Sequence, residues 1–434
     1  MRAATDPTAP GSRAGAVAPL VGVGLLFTLV AFAGTISAYT PLTARPIADI
    51  VLAGLWLGVV FGWIARRELP RRSGAVLVLV ALLIGVTLLA VPFSDPLSRG
   101  LESVRLSVWP LSALLLIATS PWARPGRGRI LEIALAVAAV ALAYSAIRHL
   151  SGASGLEEEV ARAALPGVPD DLQLRFYGSM PTAQQLAIFA ATSLPLALAA
   201  ALASEGRRRI VFAAIAAIAV FVVIATEIRT GTIAAVAATL VAVGLFSASS
   251  SFPRPERRRA AMLALAGVAL VGVGSYLAVV ANEDDRAERF AGLLDPGADE
   301  SFSVRLDRWE EAVPIVFDRP LGAGLATSGV LAAEKPAEAV AEPNLDNDYL
   351  KVGIEQGPFP MLLLILTFGA LGIALARCAV RGGVESAPLA AGACGAVVAL
   401  ATMAITAFAI EQLQALPVWM LVGLALAGAD RDHR

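Results

Sequence analysis

The chain has 434 residues, of which 57% are hydrophobic and 16% charged, and a formal net charge of −1. A near-neutral chain this apolar offers nothing for nucleic acid to bind, and its two cysteines (Cys378, Cys394) and two histidines (His149, His433) supply neither a disulfide framework nor a zinc site. The apolar residues come in runs of about twenty, the length a helix needs to cross a hydrocarbon core of roughly 30 Å, so the sequence reads as an all-α polytopic membrane protein.

In chain order, Met1 to Gly15 lacks periodicity and reads as a disordered cytoplasmic tail (residues 1–15). Twelve apolar stretches follow, the expected transmembrane helices: Ala16–Ala38, Ile47–Ile64, Gly74–Val91, Leu106–Thr119, Ile130–Ile147, Ala183–Ala203, Ile210–Thr226, Thr232–Ser247, Ala260–Val280, Pro358–Ala376, Pro388–Ala409 and Ala415–Ala427. Residues 16–280 thus hold helices one to nine, residues 358–427 helices ten to twelve, and residues 428–434 a second short tail.

Arginine gathers in alternate connectors, in the stretches RRELPRR, ARPGRGR, SEGRRR, PRPERRR and RCAVR, while the acidic residues gather in the others. Positive charge marks the cytoplasmic side, so both termini are expected there, in a multi-pass protein of the cytoplasmic (inner) membrane. The two long connectors, 148–182 and 281–357, then face outward, and connectors of that length in a compact bundle are more often functional than slack.

The larger outer connector, before the tenth helix, holds the densest chemistry. Its stretch Ser303–Pro320 has helical spacing, which puts Arg305 and Arg308 three apart on one side. Two guanidinium groups can hold a diphosphate through paired charge-assisted hydrogen bonds; equally, they can pair with Asp307 or Glu311 on a solvated face. In DRPLGAGLATSG, Gly322 and Gly324 permit tight turns and close backbone approach to a ligand. In NLDNDYLKVGIEQG, Asp346 and Asp348 precede a helix that begins near Tyr349, where carboxylates cap helices; alternatively Asp346 accepts a proton from an incoming hydroxyl with Asn347 as its hydrogen-bonding neighbour.

Arg229 ends the seventh apolar stretch, either paired with Glu227 or binding an anion, and Arg175 closes the connector 148–182, snorkelling to the interface or extending the same anion site. Asp49, His149 and Glu411 also fall near outer ends of helices. The pattern asks for no cofactor and no metal.

Arg-x-Thr-Gly from Arg229, Arg-x-x-x-Trp from Arg305, Pro-Leu-Gly-x-Gly from Pro320, and Asp346-Asn347-x-x-Leu350 followed by Gly357 resemble the O-antigen ligase and O-antigen polymerase family of bacterial envelopes. In the ligases the last motif begins with histidine, where this chain has Asp346. The resemblance covers roughly Arg175 to Gly357. It implies a GT-C-like, metal-independent, inverting glycosyltransferase that takes an undecaprenyl diphosphate-linked glycan donor on the outer face, with a glycan or lipid-linked acceptor and membrane lipid around it. It further implies that Arg229 and Arg305 contact the donor diphosphate, that Arg175 is an extension of that site, and that Asp346 replaces the ligase histidine; Arg308 has no counterpart in the motif. The substitution favours polymerisation of repeat units over ligation to lipid A. A flippase or other transporter is the competing reading from helix number alone, but nearly all the charge lies at helix ends rather than along a path.

Overall fold

A computed structural model describes residues 10–66, 74–123, 125–152, 154–164, 178–280, 300–329, 331–332 and 345–428. Among these residues there is no β-strand, and all twelve expected apolar stretches contain helix. The first half comprises α1 (Pro10–Ala31), α2 (Ala33–Tyr39), α3 (Ala44–Arg66), α4 (Ala75–Ala90), α5 (Leu97–Thr119), α6 (Arg127–Ser151) and α7 (Gly155–Ala164). The second comprises α8 (Ala183–Ala203), α9 (Gly206–Ala225), α10 (Arg229–Ala248), α11 (Arg254–Val280), α12 (Glu300–Asp318), α13 (Asp348–Gln356), α14 (Pro358–Arg381), α15 (Ala387–Met403) and α16 (Ala415–Gly428).

Eight of these helices are long and apolar enough to cross a membrane, or nine if α1 and α2, bent by 73° at Phe32, count as one; α15 and α16 are shorter. The expected count of twelve transmembrane helices is not reached: eight or nine of the described helices meet that measure.

The centre of the bundle is α8. It is apolar all round, as a helix enclosed by other helices must be, and 89% of its crossing window is buried. It packs against α9, α10 and α15. Small residues set the spacing: a Cβ on Gly395 would stand 2.6 Å from Pro195 Cβ, and one on Gly392 would stand 2.9 Å from Leu196 Cα. Between apolar helices in lipid, such close packing replaces the hydrophobic drive that water would provide.

One expectation fails at a useful place. The apolar run Pro388–Ala409 suggests unbroken helix, but α15 stops at Met403 and residues 404–414 form a buried irregular connector to α16. Its backbone is taken up by other elements instead: the Asp348 N–H donates to the Ala404 carbonyl (2.9 Å), and the Ile410 N–H donates to Asp348 Oδ2 (2.8 Å). Irregular backbone at such depth is tolerated only where protein groups satisfy it.

That connector ties one end of the bundle together. Thr406 Oγ1 donates to Thr230 Oγ1 at the start of α10 (2.6 Å), and Gln185 Nε2 of α8 donates to Gln412 Oε1 (2.7 Å). Gln414 Nε2 reaches Met180 Sδ (2.9 Å), and Arg45 Nη1 of α3 donates to the Glu411 carbonyl (3.0 Å).

Candidate functional site

Helix α12 forms where the Ser303–Pro320 spacing places it, and its inner face decides what it presents. Ala312 and Val316 are fully buried against Leu345 and Ile354, with Trp309 packed alongside, whereas Val304, Val313 and Phe317 stay exposed. Trp309 Nε1 also donates to the Leu345 carbonyl at 2.8 Å. The tryptophan of the Arg-x-x-x-Trp motif thus anchors the residue that precedes Asp346.

Arg305, one turn before Trp309, places its Nε 3.6 Å from Asp346 Oδ2. The two side chains are 35% and 40% exposed, and a pair that open to solvent contributes about 0–1 kcal/mol. Asp346 meanwhile has φ 46°, in the left-handed region, which costs about 1–2 kcal/mol for an ordinary L-residue and somewhat less for Asp. The pair at best offsets the cost of its backbone, so it adds little net stability. Partial burial pushes the Asp346 carboxyl above its ordinary value, and Arg305, with a smaller effect from Arg308, pulls it back down. Both arginines of α12 therefore act on one carboxylate.

Left-handed backbone recurs at or beside three of the four motifs, the exception being Arg-x-x-x-Trp inside α12. Among the described residues three non-glycine positions have positive φ: Glu227 (56°), Ala326 (61°) and Asp346 (46°). They fall just ahead of Arg229, within the glycine turn, and at the Asp-Asn motif. Strained backbone concentrates at functional segments, where the surrounding structure over-determines it.

The glycine turn is seated on the chain itself. A Cβ at Gly322 (φ 75°) would stand 2.3 Å from the Glu355 carbonyl, and one at Gly357 (φ 94°) would stand 2.2 Å from the Pro320 oxygen. The Ala323 and Gly324 N–H groups donate to the carbonyls of Ile354 (2.7 Å) and Glu355 (3.0 Å). The two glycine turns interlock, which accounts for the spacing from Asp346 to Gly357. What Gly322 and Gly324 approach most closely is backbone, that of Glu355 and Phe93, rather than open space.

Asn347 caps α13, its side chain accepting from the Leu350 N–H at 3.0 Å. The cap expected of a neighbouring aspartate is thus Asn347, and Asp348 turns inward to the 404–414 connector. Arg229 begins α10 one residue before Thr230, which bonds that same connector. Asp348 and Thr230 therefore hold the Asp346 segment and the Arg229 segment on one shared strip of chain. Arg175 lies outside the described residues.

Beneath this face sits a cluster that the sequence reading passed over. Lys351 Nζ donates to Glu355 Oε2 (2.6 Å) and stands 2.8 Å from Glu411 Oε1, an ion-pair contact without hydrogen-bond alignment; all three side chains are 5% exposed or less. Glu355 also accepts from the Ser328 N–H at 3.2 Å, so the cluster fastens the glycine turn to α13 and the 404–414 connector. Lys351 and Glu355 are four apart on one helix, a spacing visible in the sequence; Glu411, on another segment, was visible only as a charge near a helix end. Of the other two such charges, Asp49 pairs with Arg105 (2.5 Å), and His149 packs edge-on to Phe221.

Fold and site together define a polytopic helical membrane protein in which Arg305 and Arg308 act on one partly buried carboxylate, Asp346, and the Asp346 and Arg229 segments bond one shared connector at one end of the bundle. Residues 213–365 match the family model described as O-Antigen ligase, Wzy_C, which bears out the resemblance to O-antigen ligases over that segment. The matched stretch contains Arg229, Arg305, Arg308, Gly322, Gly324, Asp346 and Asn347, and ends before α15 and α16. No curated protein matches the chain.

Proposed function

We propose that the protein is a membrane glycosyltransferase that joins lipid diphosphate-linked glycan repeat units at the outer face of the cytoplasmic membrane. The observation that carries the reading is the Arg305–Asp346 pair on strained backbone, within the segment that matches O-antigen ligases.

In the proposed step an acceptor hydroxyl attacks the anomeric carbon of the donor. The bond from that carbon to the diphosphate oxygen breaks, and the configuration inverts. Negative charge develops on the departing diphosphate, and positioned cations that meet it there lower the barrier, an electrostatic effect that is commonly the largest single contribution. Arg305 and Arg229 take this role, with Arg308 at the margin and Arg175 as an extension. Asp346 takes the hydroxyl proton. Its pull between burial and Arg305 suits a group that must be ionised to accept a proton yet not so strongly stabilised that it cannot. Asn347 and the Gly322–Gly324 turn hold the Asp346 segment in place. The undecaprenyl chain of the donor lies among the apolar helices.

A second reading, transfer of a finished glycan to a lipid acceptor, is favoured by the description of the matching family, O-Antigen ligase. The aspartate in place of the ligase histidine favours polymerisation. Deletion of the gene separates the two: single-repeat glycans on the cell envelope support polymerisation, and unattached full-length polymer supports ligation. Complementation with Arg229→Ala, Arg305→Ala or Asp346→Asn at equal membrane level is expected to leave the envelope glycans well short of normal; normal glycans with all three variants would refute both readings.

A further inference from the structure

At the opposite end of the bundle, Arg209 and Arg259 stand on a groove of about 690 Å³ that is otherwise almost wholly apolar. It runs between α9 and α11, floored by Leu194, Leu198 and other residues of α8 and α10. It exists because the facing residues are small: Ala213 and Ala217 on one wall, Ala266 and Gly267 on the other. A Cβ added at Gly267 would meet nothing within 4 Å.

Both walls lie on helices of a membrane bundle, and Leu263 and Leu270 are more than half exposed there. The surroundings that such a surface meets are hydrocarbon. The charge sits at one end only. Arg209 is held at the mouth by donating Nε to the Ser204 carbonyl (2.7 Å), and Arg259 faces it from α11 with Glu256 one turn earlier. Two guanidinium groups against one carboxylate leave the mouth positive, and arginine is the side chain that best matches a phosphate. The twenty residues of α9 span about 30 Å, so this end is roughly a membrane thickness from Arg229 and cannot share its ligand atoms.

We propose that the groove is a binding site for one anionic phospholipid, with an acyl chain along the apolar walls and the phosphate on Arg209 and Arg259. The inference rests on the membrane reading alone and is independent of the reaction proposed above.

Native mass spectrometry of the purified full chain in detergent tests it, with dioleoylphosphatidylglycerol or dioleoylphosphatidylcholine added. The wild type is expected to retain the anionic lipid at least about fivefold better, because both lipids offer a phosphate but the choline cation of the zwitterionic one is repelled by the positive mouth. The double variant Arg209→Ala/Arg259→Ala should lose that preference. Ala217→Trp, which fills the groove and leaves the arginines in place, should lower retention of both lipids. Excess inorganic phosphate should not displace the anionic lipid. Equal retention of both lipids by the wild type would mean bulk lipid only and overturn the site, as would a preference undiminished in the double variant, retention unchanged by Ala217→Trp, or displacement by free phosphate. Should the double variant fail to fold, Ala217→Trp and the phosphate arm still decide.

Discussion

Arg305 Nε stands 3.6 Å from Asp346 Oδ2, close enough to govern the charge of that carboxyl yet too exposed to stabilise the fold appreciably. Partial burial raises the Asp346 carboxyl above its ordinary value, and Arg305 opposes the rise. A base must be ionised, so activity falls as pH drops through that raised value. Arg305→Ala removes the opposing charge, and the acid limb of the rate profile should move to higher pH. Arg308→Ala should move it less, Arg308 being the weaker influence. Initial rates across pH check this; an acid limb in the Arg305→Ala profile that stays in place or moves lower would separate the pair from catalysis. Asp346→Asn should lower the rate by about 10²–10⁴, the range for a positioned acid–base group.

The Lys351 cluster makes a stability prediction. Lys351→Met leaves Glu355 and Glu411 buried without their cation, and breaking a buried pair in this way costs about 3–5 kcal/mol. The double variant Lys351→Met/Glu355→Gln should recover part of that loss. Thermal unfolding in detergent measures both; a Lys351→Met protein as stable as wild type would mean that the carboxylates are not held ionised.

Interlocked glycine turns predict an asymmetry among glycine substitutions. Gly322→Ala and Gly357→Ala put a Cβ against backbone at 2.3 and 2.2 Å, at positive φ, and should each cost well over 1 kcal/mol. Gly369→Ala, in α14 with open space around it, should be neutral or stabilise by about 0.5–1 kcal/mol. Equal effects in unfolding midpoints would contradict the interlock.

A different carboxylate governs acid stability. Burial raises the Glu157 carboxyl, but the opposing bonds from Arg148, the Ser154 N–H and Tyr144 outweigh it and hold it below its ordinary value. A depressed carboxyl contributes stability that is fully present above its unfolded value and is lost as pH falls through its folded one. Glu157→Gln should therefore be less stable than wild type at neutral pH, with the difference narrowing toward acid. A difference that widens toward acid would reverse the assignment.

The apolar helices were legible because hydrocarbon thickness dictates run length, though not how many of them are long enough to cross, and α12 and α13 because their spacing and capping residues are local. Arg305 and Asp346 were legible as separate candidates through their motifs, but their contact was not, since it depends on Trp309 reaching the Leu345 carbonyl across an intervening stretch of chain. The hub at 404–414 was hidden for a related reason. Its first residues, Ala404–Ile410, are nearly as apolar as α15, and the bonds with Asp348 and Thr230 that take the place of helical ones there come from distant segments. The Lys351–Glu355 half of the buried cluster was readable at four-residue spacing; Glu411 needed the fold.

The most direct test of the central claim is elongation by the purified protein in lipid vesicles with an undecaprenyl diphosphate-linked repeat unit as the sole glycan substrate. Wild type should give products of two or more joined repeats with release of the lipid diphosphate, and Asp346→Asn at equal protein level at least about a hundredfold less. Joined repeats formed equally well by Asp346→Asn, or none formed by wild type, would contradict it.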